Sequence, residues 1–220
     1  MFLNREEAGL KLASRLSLQK DIKLRKDRSI IIAIPRGGVI VGKVISEILG
    51  IPLTSLIVKK IGAPQNPELA IGATGANGMV FWDEKLISYL DMSDEEKNQA
   101  LSEAIRTIKE REKRLGVEPL KQIDLKGKTS IVVDDGVATG ATSIAASIML
   151  RNLGSQKIIL ATPVISRMTK RELSSYFDKI VAVETPFIFQ AVGQFYKNFP
   201  QVEDEEVRKL LKHEARNPKP

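Results

Sequence analysis

The chain contains no cysteine and a single histidine, His213, which lies in a polar C-terminal segment. The first absence excludes disulfides, thiolate nucleophiles and zinc sites built on cysteine. The second leaves no parts for a serine triad or a histidine-rich metal centre, and His213 reads as a solvated surface residue. Aromatic residues make up only 5% of the 220 positions, and no RNA-binding sheet signature stands out, so nucleic acid is not the expected partner. No apolar run approaches the roughly 20 residues that span a bilayer. Residues 1–16 carry acids and no small-residue cleavage site, so they read as an amphipathic helix rather than a signal or transit peptide. A soluble, cytoplasmic protein without membrane attachment is expected.

What is present is ordinary in bulk: 43% hydrophobic and 28% charged residues, in a length that suits one α/β core with appended segments. The net charge of +7 suits a partner or substrate that carries phosphates.

Periodicity and punctuation give alternating elements. Residues 5–18 are apolar at Ala8, Leu12 and Leu16, a helical spacing. The run SIIIAI at 29–34 is continuously β-branched, as in a strand buried on both faces. Helical spacing over 38–49 stops at Gly50, with Pro52 beyond, and 53–58 reads as the next strand. From 59 to 77 glycine and proline interrupt every pattern, which predicts a long loop with a short β-ribbon before 79–82. A polar helix over 93–115 opens on a capping box, Ser93 with Glu96. Strands at 129–133, 157–162 and 179–183 alternate with helices at 142–153, ended by Gly154, and 168–176. An aromatic cluster and a charged helix over 204–213 follow. Strands separated by helices imply right-handed crossovers and a mostly parallel, doubly wound five-stranded sheet flanked by helices. In such sheets ligands bind beyond the carboxyl ends of the strands, where strand order reverses.

Three segments are expected at those ends: IPRGG at 34–38, KKIGAP at 59–64 and DDGVATGAT at 134–142. Gly37 to Lys43 fits the spacing of a triphosphate-binding loop, but Val44 stands where a magnesium-binding hydroxyl is required, and Gly42 and Lys43 fall inside the predicted helix. What survives is Arg36 beside two glycines, which lets backbone N–H groups and a guanidinium approach a phosphate. Asp134 and Asp135 suit a metal, an acid/base pair or the diol of a ribose. Adjacent residues on an extended chain point in opposite directions, and the small-residue loop that follows favours the diol. That loop leads into a helix N-terminus, whose unpaired N–H groups favour a phosphate, with Thr139 and Thr142 as hydroxyl donors.

IVVDDGVATGATS at 131–143 resembles the phosphoribosyl-pyrophosphate (PRPP) motif of type I phosphoribosyltransferases: apolar residues, two acids, a spacer, then Thr-Gly-x-Thr. IPRGG and KKIGAP also resemble that family's pyrophosphate loop and basic strand end. The stretch AIPRGGVIVG…VKKIGAPQNPELAIGA resembles phosphoribosyltransferases whose substrate is uncertain. The likeness covers roughly residues 1 to 200. It implies one domain over 1–220: a core at 29–183, a small hood from 1–25 and 184–200, and a charged helix and tail at 201–220.

The resemblance also implies a division of labour. Asp134 and Asp135 hold the ribose hydroxyls; Ala138, Thr139, Gly140, Ala141 and Thr142 hold the 5′-phosphate; Arg36, Gly37 and Gly38 hold the pyrophosphate, helped by Lys60 and Lys59. Mg2+ enters mainly through PRPP, with Asp134 and Asp135 as candidate ligands. The peptide at Arg36 is expected to be strained or cis, and the loop over 61–78 to close as a lid or to serve in a dimer contact. The implied reaction moves the phosphoribosyl group to a nitrogenous base, under a hood where Phe187 or Phe195 stacks on the base, in a homodimer or higher homo-oligomer. Ala138 stands where 6-oxopurine enzymes of the family carry an aspartate, so hypoxanthine and guanine are disfavoured as acceptors. The rival readings are a PRPP- or nucleotide-binding regulator without strong transferase activity, and a PRPP-forming kinase, for which 220 residues leave no second domain.

Overall fold

The computed structural model describes residues 1–20, 26–75, 80–115 and 124–216. Outside that set lie residues 21–25 of the expected hood, 76–78 of the expected lid and 217–220 of the tail, together with the side chain of His213.

Five strands form the central parallel sheet: β1 (Ser29–Ala33), β2 (Leu53–Ser55), β6 (Thr129–Val133), β7 (Lys157–Val164) and β8 (Lys179–Glu184), in the order β2-β1-β6-β7-β8. β1 and β6 pair over their whole length, Ser29 with Thr129 through Ala33 with Val133. Every residue of these two strands is buried, which is why they read as unbroken apolar runs. Alternation sorts their side chains into two layers. Ile30, Ile32, Val132 and Leu160 pack with Ala146, Met149 and Leu150 of helix α5 (Ala141–Asn152). Ile31, Ile131, Val133 and Ile159 pack with Leu12 and Leu16 of α1 (Arg5–Ser17) and Val41 and Ile45 of α2 (Gly37–Leu49).

Local chemistry explains the helix ends. The Asn4 side chain caps α1 by accepting from the Glu7 N–H at 2.9 Å. Gly50, at φ 66°, ends α2 in the left-handed conformation that glycine adopts without penalty.

The structure corrects the reading of 53–58 and of the loop after it. The Leu56 N–H still donates to Ala33 at 3.1 Å, but the chain then leaves the sheet. A separate antiparallel sheet follows: β3 (Val58–Ala63), β4 (Asn66–Gly75) and β5 (Val80–Trp82). KKIGAP therefore lies in a ribbon rather than at the end of a central strand. Helices α3 (Glu84–Tyr89) and α4 (Asp94–Leu115) cover it, with Ile61, Ile71, Ile87 and Ala104 in a small core of their own. The Ser93–Glu96 capping box of α4 is formed in both directions, at 2.9 and 3.2 Å. The helix expected at 168–176 divides into α6 (Arg167–Glu172) and a 3-10 turn, Leu173–Ser175.

The first residues meet the segment that follows β8. Phe2 donates its N–H to Phe195 at 2.7 Å and accepts from Lys197 at 2.8 Å, and its ring packs on Tyr196. The last helix, α7 (Asp204–Arg216), buries Val207 against a cluster that includes Ile108 and Leu115 of α4. No helix among the described residues is long and apolar enough to cross a membrane.

Candidate active site at the carboxyl ends of β1 and β6

Strand order reverses between β1 and β6, since β2 lies on one side of the pair and β7 and β8 on the other. The crevice at a ligand-binding switch point therefore opens where β1 delivers Pro35–Gly38 and β6 delivers Asp134–Thr142. The Pro35–Arg36 peptide is cis, as the resemblance implied.

The two loops touch. A Cβ on Gly38 would lie 2.6 Å from the Val133 carbonyl oxygen, and one on Gly37 would lie 1.8 Å from Asp135 Oδ2. Only glycine lets the start of α2 lie this close to the end of β6.

The two acids differ in their surroundings. Asp134 Oδ1 accepts from the Asp135 N–H at 2.9 Å. Burial, and then the neighbouring Asp135 charge, push the Asp134 carboxyl well above the ordinary carboxylate range. Asp135 instead forms an ion pair through Oδ2 with Arg5 Nε at 2.7 Å, and its carbonyl accepts from the Tyr196 hydroxyl at 2.5 Å. Burial and the Asp135 charge hold the Tyr196 phenol well above its ordinary value, so it stays a donor.

The loop after the acids is anchored from outside. Val137 bridges Ile165, and the Ala138 carbonyl accepts from Thr169 Oγ1 at 2.8 Å. Gly140, at φ 77°, then turns the chain into α5. Ala138, Thr139 and Thr142 are exposed.

The expected basic groups lie on several elements. Arg36 directs its guanidinium to Asp204 at 3.7 Å, and Arg114 meets the other oxygen of the same carboxylate at 3.5 Å. Lys59 donates to Thr107 of α4 at 2.9 Å. Lys60 borders a crevice with Gly72, Trp82 and Ala141. Phe195 stacks on Phe189 within the hood, with ring centroids 5.2 Å apart, whereas Phe187 is 77% exposed with the Arg167 guanidinium over its ring.

Sequence reading missed Arg5, Asp204 and Arg111, the last of which lines a narrow crevice with Pro35 and Thr142. Arg5 opens an amphipathic helix and its partner lies 130 residues away, so no local pattern marks it. Tyr196 belongs to the aromatic cluster, and its hydroxyl rather than its ring makes the contact to Asp135.

A parallel sheet of this order, with two acids and a small-residue loop at its switch point, is the type I phosphoribosyltransferase fold. The chain belongs to the phosphoribosyl transferase domain family, whose pattern it matches over residues 3–196. A protein called "Putative phosphoribosyl transferase" in two strains of Mycobacterium tuberculosis is 36% identical over 216 residues, covering 96% of this chain and 46% of the relative. The chain thus spans a little under half the length of the curated relatives it matches. The crystal structure of TT1426 from Thermus thermophilus superposes with a TM-score of 0.86 at 32% identity, covering 96% of this chain and 98% of that one. The ribose-phosphate pyrophosphokinase of Pyrococcus furiosus is 37% identical over 65 residues, 29% of this chain and 23% of that protein.

Proposed function

We infer that the protein transfers the 5-phosphoribosyl group of PRPP to a nitrogenous base and releases pyrophosphate. The observation that carries this reading is the contact between the two loops. Gly37 and Gly38 lie against Asp134 and Asp135, so an anion-binding backbone and a pair of hydroxyl acceptors share one crevice. The loop over 138–142 adds the N-terminus of α5, whose first N–H groups have no intrahelical partner and suit the 5′-phosphate.

The protein's work in such a displacement is electrostatic and positional. Asp134 and Asp135 orient the ribose. The backbone at Gly37–Gly38 and the charges of Arg36, Lys59 and Lys60 stabilise the departing pyrophosphate as the sugar acquires oxocarbenium character. The ribbon β3–β5 excludes water from that cation.

Mg2+ fits this donor set in one way. Among the described residues no three His, Asp or Glu side chains form a cage. Mg2+ commonly binds through one or two carboxylates plus substrate phosphates, and Asp134 and Asp135 offer those carboxylates. When bound, it would neutralise charge on the leaving pyrophosphate.

Calorimetric titration with PRPP, with and without Mg2+, followed by pyrophosphate release across a panel of purines, pyrimidines and other nitrogen acceptors, tests the reading. Binding with release from one acceptor supports it. Binding with no release from any acceptor favours a PRPP-binding regulator, and no binding sinks it. Asp134→Asn combined with Asp135→Asn should abolish PRPP binding while the protein stays folded; normal affinity in that variant would remove the hydroxyl assignment.

A further inference from the structure

Arg5 and Asp135 form an ion pair whose side chains retain only 8% and 15% of their surface. The guanidinium is held in three directions. Nε donates to Asp135 Oδ2 at 2.7 Å, Nη1 donates to the Pro200 carbonyl at 2.8 Å, and the flat face covers the Phe199 ring at 3.7 Å from its centroid. A guanidinium gripped on its edge and its face cannot swing toward a ligand, so its charge is committed to Asp135.

The pair also rests on the glycine loop. A Cβ on Gly37 would come within 1.8 Å of Asp135 Oδ2 and 2.7 Å of Arg5 Nε. The Asp135 backbone is fixed on both sides, its N–H by Asp134 at 2.9 Å and its carbonyl by the Tyr196 hydroxyl at 2.5 Å. Four segments of the chain thus meet around this ion pair: the first helix, the glycine loop, the end of β6, and the stretch from Tyr196 to Pro200.

We propose that Arg5 is a positioning residue of the PRPP site. By holding Oδ2 of Asp135 it fixes which edge of that carboxylate the ribose meets, sets the acid pair in register with the Gly37–Gly38 loop, and makes the first helix part of the substrate site. The inference rests on the PRPP reading given above. Without Arg5, the Asp135 carboxylate is left without its cation beside a second acid, and the two acids lose their fixed arrangement.

The test is PRPP titration of the unaltered protein, Arg5→Gln, Arg5→Lys, Asp135→Asn and the Arg5→Gln/Asp135→Asn double variant, with thermal unfolding of each. Arg5→Gln should weaken PRPP binding roughly tenfold or more, as for a misplaced substrate-orienting group. Arg5→Lys should recover part of the loss, because an ammonium neutralises Asp135 but lacks the fork that also reaches Pro200. The double variant should bind no more weakly than the weaker single variant, since both changes remove one interaction. Unchanged PRPP affinity in Arg5→Gln with a lowered unfolding temperature would reduce Arg5 to a structural residue and overturn the proposal. Additive losses in the double variant would also overturn it, by showing that Arg5 acts apart from Asp135. If Arg5→Gln does not fold, unchanged affinity in Arg5→Lys together with a large loss in Asp135→Asn has the same force. Failure of the unaltered chain to bind PRPP would instead defeat the phosphoribosyl reading, and this inference with it.

Discussion

Asp134 lies in a position that opposes stability. Its carboxyl holds a proton more tightly in the folded chain than in the unfolded one, chiefly through burial and then through the Asp135 charge. The stabilising contribution of that proton is complete below the ordinary value of 3.8 and is lost as pH rises through the higher folded value. Asp134→Asn keeps the acceptor for the Asp135 N–H and removes the titrating carboxyl. It should therefore raise stability at about pH 7 by about 1 kcal/mol, in the range typical of single stabilising changes. The gain should shrink as pH falls towards the ordinary carboxylate range, as measured by thermal unfolding at several pH values. A destabilised Asn variant at neutral pH would contradict the assignment. The two acids were legible in the sequence because they interrupt an apolar run just before a glycine. The different partners of the two were not, because Arg5 and Tyr196 reach Asp135 across long stretches of chain.

Elements with a strong local signal were read within a residue or two. The strand at 129–133 was legible because both of its faces are buried, and α4 because Ser93 and Glu96 cap each other. A short ribbon before 79–82 was legible, but its length and its three-stranded pairing were not. Gly62, Ala63, Gly72, Ala73 and Gly75 have low strand propensity, and their pairing is decided by packing against α4 and α5. Residues 53–58 were read as one strand because Leu56, Ile57 and Val58 are all buried, although the segment serves two different sheets. Helix α7 has a role that its charged sequence did not reveal: Asp204 stands between Arg36 and Arg114. Asp204→Asn should free the Arg36 guanidinium and tighten pyrophosphate binding by roughly two- to fivefold, the scale of a partly exposed ion pair. Competition of pyrophosphate with PRPP measures this; weaker pyrophosphate binding would mean that Asp204 orients Arg36 for its ligand rather than competing for it.

At the scale of the whole molecule, five strands and their crossovers could be read from the pattern of residues but their neighbours could not, because continuous apolar runs carry no information about which edge pairs with which. The observed order places the glycine loop and the acids on adjacent strands. A ligand that bridges them should stabilise the entire domain. PRPP with Mg2+ at about a hundredfold excess over its Kd should add about 2.7 kcal/mol. This would register as a rise of several degrees in Tm, absent from the Asp134→Asn/Asp135→Asn variant.

The seat of Arg5 also has a history in time. A growing chain presents Arg5 first, the acids much later, and Phe199 and Pro200 later still, on the order of seconds after the acids at ordinary rates of synthesis. A ribosome-bound chain that stops short of Phe199 carries the glycine loop and both acids and lacks the ring and the carbonyl that hold the guanidinium in place. On the PRPP reading proposed above, a fixed Asp135 would thereby wait for Phe199 and Pro200 to be made, whatever the sheet has already become.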